Sequence, residues 1–270
     1  MKNIKFNSEF SKNRNIVYEL VRKNVKSQYR NSVFGMLWSV LNPLLNMAVM
    51  YFIFYQLYGK NDKYFILYLL CGTILVNMLR GATNSAMNSI VQNKGLLTKI
   101  KIKESLFPLS SALSATVNTS FSFISLFIIM LIMQIFGGYN LIGYQVLFCL
   151  PFIPALFMFV YGIGLFLSAL YVFFKDISHL YNVFLTLWVY LTPVFYKEDL
   201  FSNTALKFLK LNPMYWYLKY FRQAIYICHT SNSGMPSFKI LLALYIIGII
   251  VLVIGLTCFK SLKKKFVMYL

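Results

Sequence analysis

From Ser105 to Phe174 the chain runs 70 residues without one charged side chain. A water-facing surface cannot be built from such a stretch, and one helical crossing of a ~30 Å hydrocarbon core uses only roughly 20 residues. The run therefore holds two membrane helices, and Gly137-Gly138-Tyr139-Asn140, the strong turn signal inside it, divides them. The remainder agrees, with 59% of the 270 residues apolar and 12% charged. The fold class expected is an all-α integral membrane protein.

The first 33 residues are polar and basic, unlike the charged stub and apolar core of a cleavable signal peptide. Val17, Leu20, Val21, Val25 and Tyr29 recur at helical spacing while Arg14, Arg22, Lys23, Lys26 and Arg30 take the other faces, which predicts an amphipathic interface helix within residues 1–32. Six transmembrane helices follow, at approximately 33–58, 64–90, 106–136, 141–174, 180–196 and 238–259. Asn42-Pro43 interrupts the first, and Thr192-Pro193 lies where the fifth ends; prolines at these places can kink a helix, for gating or for static packing. Arg80, toward the far end of the second, is expected to snorkel or to face protein. Residues 197–236 mix aromatics with scattered charge and read as short outer re-entrant helices, one of them starting at Asn212-Pro213.

Orientation comes from the basic residues flanking these spans. The side holding both termini carries 17 and the other carries 8, so both termini are expected in the cytoplasm of a bacterial inner-membrane protein. That distribution also accounts for the net charge of +19 through lipid headgroups and loop retention, with no nucleic acid required. The four cysteines stand far apart and the two histidines, His179 and His229, fall on opposite faces, so no metal site is expected. No GxxxxGK[ST] loop is present, and this chain alone has no means of binding ATP phosphates in the usual way.

Five segments in order carry a resemblance: YRNSVFGMLWSVLNPLL (Tyr29 to Leu45), NKGLLTKIKIKESLFPLSSAL (Asn93 to Leu113), SALYVFFKDISHL (Ser168 to Leu180), LTPVFY (Leu191 to Tyr196) and LNPMYWYLKYFRQAIY (Leu211 to Tyr226). Together they resemble the permease subunits of type-2 ABC exporters that move lipid-linked teichoic acid, O-antigen or capsular polysaccharide. The resemblance implies two permeases and two ATP-binding subunits in the working complex, with ATP-Mg held by the partner subunit and no cofactor in this chain. It also implies an undecaprenyl-pyrophosphate-linked glycan as the conducted molecule. One departure is visible, since Lys175-Asp176 stands where relatives usually have Arg-Asp; lysine keeps the charge and loses the bidentate fork.

On that resemblance, Leu96, Leu97, Lys99, Ile100 and Lys101 in one inner connection and Lys175, Asp176 and His179 in the other are the candidate contacts for the ATP-binding subunit. The lysines equally serve plain topology retention. Lys26, Tyr29 and Arg30 are candidates to attract the pyrophosphate. Trp38, Tyr51, Phe54, Tyr55, Trp188, Tyr190, Phe195 and Tyr196 are candidates for an aromatic-lined conduit, although aromatics also line lipid interfaces and pack cores. Asn212, Pro213, Tyr215, Trp216, Tyr220 and Arg222 are candidates for an outer gate. Two other functions share the composition: an efflux permease for drugs or small lipids, and a membrane transferase acting on lipid-linked sugars. The second would need acids or histidines clustered on one face, and the seven acids are scattered.

Overall fold

In a bilayer the backbone finds no water to bond, so long apolar runs close their hydrogen bonds within themselves as helices. The computed structural model describes residues 2–30, 34–35, 37–58, 64–99, 102–137, 141–198, 201–227 and 236–266, and among these no strand occurs. Its helices are α1 Lys2–Gln28, α2 Leu37–Tyr58, α3 Phe65–Gln92, α4 Lys94–Lys99, α5 Leu106–Gly137, α6 Cys149–Phe173, α7 Ile177–Tyr190, α8 Asn203–Leu211, α9 Pro213–Arg222 and α10 Phe238–Leu262. A 3₁₀ turn, Tyr144–Phe148, leads into α6, and α9 continues as a π turn over Gln223–Ile227.

Small residues set how these helices meet. A Cβ on Gly162 would lie 2.6 Å from the Leu252 nitrogen, and one on Gly255 would lie 2.2 Å from the Gly162 carbonyl oxygen. Gly248 lies against Ala155 in the same way, one heptad earlier on both helices. Contacts that advance together along both chains mean that α6 and α10 run parallel, and theirs is the most extensive helix pair in the molecule. Gly164 lies against Ala86, which sets α3 beside α6. Small residues substitute backbone proximity for the hydrophobic drive that lipid cannot supply.

The main core gathers around α3, which is buried over most of its length, and takes in α6, α9 and the start of α10. A second cluster joins Ile90, Leu165, Ala169, Val172, Phe259 and Phe266 at one end of the bundle, with Leu97 of α4 packed against it. That end therefore holds the α3–α5 connection, the end of α6 and the carboxyl-terminal end of α10. The helix α1 joins it, since Lys12, Ile16, Leu20 and Lys23 share with Leu96 and Ile102 a hollow of about 820 Å³.

Four helical stretches are long and apolar enough to cross a bilayer: Phe65–Gln92, Leu106–Phe136, Val146–Phe173 and Phe238–Lys265. The apolar part of α2, Leu37–Ile53, is shorter, and α7 has 14 residues, about 21 Å at 1.5 Å per residue. The fifth span expected at 180–196 thus differs in both limits. Its helix starts at Ile177 and ends at Tyr190, and Thr192-Pro193 lies beyond the helix rather than kinking it. The physical reason lies 20 residues downstream: Asn212 Nδ2 donates to Leu191 O at 3.2 Å and to Thr192 Oγ1 at 2.8 Å, satisfying groups at the helix end. Pro43, by contrast, does lie inside α2. There Ser125 Oγ of α5 donates to the Val40 carbonyl at 2.9 Å, tying the proline-bearing stretch to its neighbour.

Candidate functional site

Three membrane helices carry polar stripes at helical spacing, and the fold turns them toward one another. On α3 the stripe is Thr73, Asn77, Arg80, Asn84 and Asn88; on α5 it is Ser111, Ser114, Asn118 and Ser122; on α2 it is Ser39, Asn42 and Asn46. Between them, and closed at one end by Asn24, Ser27, Gln28 and Tyr29 of the α1 segment, lies a cleft of about 610 Å³. Among the described residues its wall holds ten carboxamides and eight hydroxyls and no charged group. Such a wall, set among apolar helices, requires a polar occupant or water.

Internal bonds hold this wall in shape. Ser114 Oγ donates to Ser110 O at 2.7 Å, Thr119 Oγ1 to Ala115 O at 2.9 Å and Asn88 Nδ2 to Asn84 O at 3.0 Å, so several donors are satisfied by their own helices. Their oxygens remain able to accept. Tyr29 donates to Asn118 Oδ1 at 3.4 Å, and Asn118 in turn donates to Gln28 Oε1, which pins the end of α1 to α5. Asn84 Nδ2 donates to Asn182 Oδ1 of α7 at 3.1 Å, whereas Asn84 Oδ1 is buried and has no partner. A buried acceptor of that kind is a place for a ligand hydroxyl.

A second cavity of about 320 Å³ adjoins the first, with Pro43, Asn46 and Asn77 lining both. It continues along Thr73, Arg80, Thr186 and Tyr190 to Val194 and Phe195. Along α3 the two cavities extend from Gln92 to Thr73, about 28 Å at 1.5 Å per residue, close to the thickness of a hydrocarbon core.

Of the residues singled out for substrate, Tyr29 and Trp38 line the larger cleft, and Tyr190 and Phe195 line the smaller cavity. Lys26 and Arg30 are exposed beside the α1 end, and Tyr51 is exposed on α2 away from both cavities. The side chains of Phe54 and Tyr55 lie outside the described residues. Trp188 packs on Phe159 and Phe184 and donates to Asn212 Oδ1 at 2.6 Å, while Tyr196 donates to Tyr190 O at 2.6 Å. Beside these aromatic side chains the structure brings together carboxamides and hydroxyls, most of which are not among the residues singled out. Their helical spacing is a signal present in the sequence.

Among the candidate coupling residues, Lys99, Lys175, Asp176 and His179 are exposed, Leu96 faces the hollow beside α1, and Leu97 packs on the end cluster. Ile100 and Lys101 lie outside the described residues. Most of the candidate gate residues are engaged in internal bonds, within the outer segment and to the ends of α7 and α3. Asn212 also caps Met214 N at 2.9 Å, Pro213 starts α9, and Trp216 donates to Lys210 O at 2.8 Å. Tyr215 donates to Glu198 Oε2 at 2.8 Å, and burial together with that carboxylate pushes its hydroxyl above the ordinary pKa. Arg222 and Tyr220 are buried. Among the described residues no group of histidines, cysteines and acids could hold a metal ion.

The sequence profile of the ABC-2 type transporter membrane family matches residues 16–226, which takes in the cleft, both inner connections and α9. The chain belongs to that family. Curated relatives of this ABC-2 family member include two proteins of Klebsiella pneumoniae named O-antigen export system permease protein RfbA, 25% and 24% identical over 248 residues, 92% of either chain. A protein of the same name from Myxococcus xanthus is 27% identical over 255 residues, 94% of either chain. The matched region and the four long apolar helices make the chain a multi-pass membrane permease.

Proposed function

We propose that the chain is the permease subunit of an ATP-driven exporter that moves lipid-linked polysaccharide across the bacterial cytoplasmic membrane. One observation carries this reading. The cleft wall of carboxamides and hydroxyls can donate to and accept from every sugar hydroxyl, and it holds no charge that would arrest a neutral chain. Exchanging one such bond for the next changes little in energy, so a glycan can advance stepwise. The curated relatives named for O-antigen export support the substrate class.

In this reading the chain crosses six times, and the helix directions support the return between the last two long helices. Because α6 and α10 run parallel, residues 174–237 must return the chain from the end of α6 to the start of α10, and α7 with the outer segment α8–α9 makes that return. The basic end that holds α1, α4 and the carboxyl-terminal helix end faces the cytoplasm. There Leu96, Lys99, Lys175, Asp176 and His179 are available to an ATP-binding subunit, which supplies ATP-Mg. A second copy of the chain closes the open side of the cleft, against the exposed apolar residues of α7 such as Leu180, Val183, Phe184 and Leu187.

In a strain lacking this chain, surface glycan is expected to disappear and to return with the wild-type sequence. Replacing Asn84 and Asn118 together by Leu is expected to lower that glycan about tenfold or more at unchanged protein level, since two hydrogen-bonding sites of ~1 kcal/mol each on the cleft wall become apolar. Deletion with no effect on any surface glycan would sink the reading. In proteoliposomes with the cognate ATP-binding subunit, neutralising Arg30 and Asp176 together is expected to reduce glycan-stimulated ATP turnover. Unchanged turnover would remove both residues from the mechanism.

A further inference from the structure

We propose that Arg80 is a mid-membrane binding site for a phosphate oxyanion carried by the conducted molecule, an inference that rests on the export function above. Arg80 sits about 22 Å from the start of α3 and 18 Å from its end, near the middle of a helix that spans the bilayer. Snorkelling to an interface from there is out of reach for a side chain of that length. It is nevertheless exposed, at the wall of the smaller cavity that Thr73, Asn77 and Thr186 also line, with the Tyr181 hydroxyl within reach of its charge.

What is missing around Arg80 decides the matter. The seven acids of the chain are Glu9, Glu19, Asp62, Glu104, Asp176, Glu198 and Asp199, and none falls within α2, α3, α5 or the body of α7. Among the described residues no carboxylate reaches the guanidinium, and no hydrogen bond from it is seen. A cation at the bilayer centre is expensive and persists where it pairs or meets a watered pathway. Arg80 meets the pathway, and since none of the described carboxylates completes it, that place is left to an anion of the conducted molecule.

The guanidinium fork matches a phosphate with two parallel hydrogen bonds. Asn77, three residues away on the same face, adds a neutral donor, while the Thr186 hydroxyl donates to Asn182 O at 3.0 Å, and about 320 Å³ accommodates a phosphate group with its first hydration. Such a site would hold a phosphate head halfway across while neutral sugars occupy the adjoining carboxamide cleft. It differs from Lys26, Tyr29 and Arg30, which stand at the α1 end.

The test is binding to the full-length chain in nanodiscs, using a fluorescent polyprenyl diphosphate, the matching polyprenol without phosphate, and inorganic pyrophosphate as competitor. Arg80→Gln is expected to weaken diphosphate binding about tenfold or more and to leave the polyprenol unaffected, while Arg80→Lys retains a salt-sensitive part of it. Competition by inorganic pyrophosphate assigns the site to phosphate alone, and failure to compete with loss in Arg80→Gln assigns it to the lipid-linked form; both support it. Arg80→Gln that binds diphosphate as the wild type does, with an unchanged melting temperature, overturns the site. The two readings fail separately: normal diphosphate binding by Arg80→Gln in a chain whose deletion abolishes export removes the site alone. Lost binding in a chain whose deletion leaves export intact removes the export function and keeps the site.

Discussion

Gly255→Val is expected to leave little folded protein in the membrane, because no space exists for its side chain. A Cβ alone at this position would lie 2.2 Å from the Gly162 carbonyl oxygen and 3.0 Å from its carbon, distances that neither helix can absorb by a rotamer change since both contacts are backbone. The helices α6 and α10 would have to separate along their most extensive contact, and dispersion falls steeply with even a sub-ångström gap. Overpacking by one methylene in a tight core costs about 1–3 kcal/mol, and Val adds three carbons. Against a total stability of roughly 5–15 kcal/mol, Val at this site is expected to remove most of the margin. Gly255→Ala sharpens the argument: on a lipid-facing surface it would stabilise by up to about 1 kcal/mol through helix propensity. Here it is expected to destabilise by about 3 kcal/mol, so the sign itself tests the packing. Gly81→Ala is the control, its nearest neighbour being the Ala115 Cβ at 3.9 Å, an ordinary contact. Thermal unfolding in detergent reads all three. A Gly255→Ala protein that melts with or above the wild type would remove the close crossing.

Much of the architecture was legible because lipid imposes a length rule. The 70-residue uncharged run, the turn inside it and the flanking basic segments place α5 and α6 without any knowledge of their contacts. The limits of α7 were not, since apolarity continues through Tyr196 while the helix stops at Tyr190 under the hold of Asn212, a partner that no local pattern announces. The cleft stands between these cases. Thr73, Asn77, Arg80, Asn84 and Asn88 share a face of α3 by arithmetic alone. That this face meets the stripes of α2 and α5 depends on packing by residues such as Ser125 and Asn118, whose partners are a carbonyl on α2 and an amide on α1. Aromatic residues are less informative for the opposite reason, since some line the cavities and others pack the core. Among the conduit candidates, Trp188 has its ring packed on Phe159 and Phe184 and its polar tip bonded internally to Asn212 Oδ1.

Arg222→Met is expected to lower stability by about 3–5 kcal/mol and to loosen the outer segment, although no acid is lost with the charge. Arg222 is 3% exposed, and its guanidinium donates to Pro193 O at 2.6 Å and, through Nη2, to Tyr68 O and Val194 O at 3.1 Å. It also lies 3.4 Å over the Tyr68 ring. These carbonyls belong to the turn after α7 and to the first turn of α3, so one side chain at the end of α9 holds three separate parts of the chain together. Gly72 makes room for it, since a Cβ there would stand 3.3 Å from Nη2 and 2.8 Å from Val194 Cγ1. Methionine matches the volume and avoids the desolvation of a buried cation, which offsets part of the loss. It leaves Val194 O without its donor, at about 1–3 kcal/mol, while Pro193 O keeps the Tyr68 hydroxyl at 3.0 Å, and it forfeits a desolvated cation–π contact of roughly 2 kcal/mol. Lysine keeps the charge without the fork and can face one or two of the carbonyls, so Arg222→Lys is expected to fall between wild type and Met. Two measurements separate the clasp from a general loss of fold: the melting temperature in nanodiscs, and trypsin cleavage at Lys197, which lies four residues beyond the clasped Pro193. Faster cleavage at Lys197 in Arg222→Met at temperatures where the bundle stays folded is the signature of the clasp. Equal cleavage and an unshifted melting temperature would show that these three carbonyls find other partners, and that the arginine is held in the bundle for another reason.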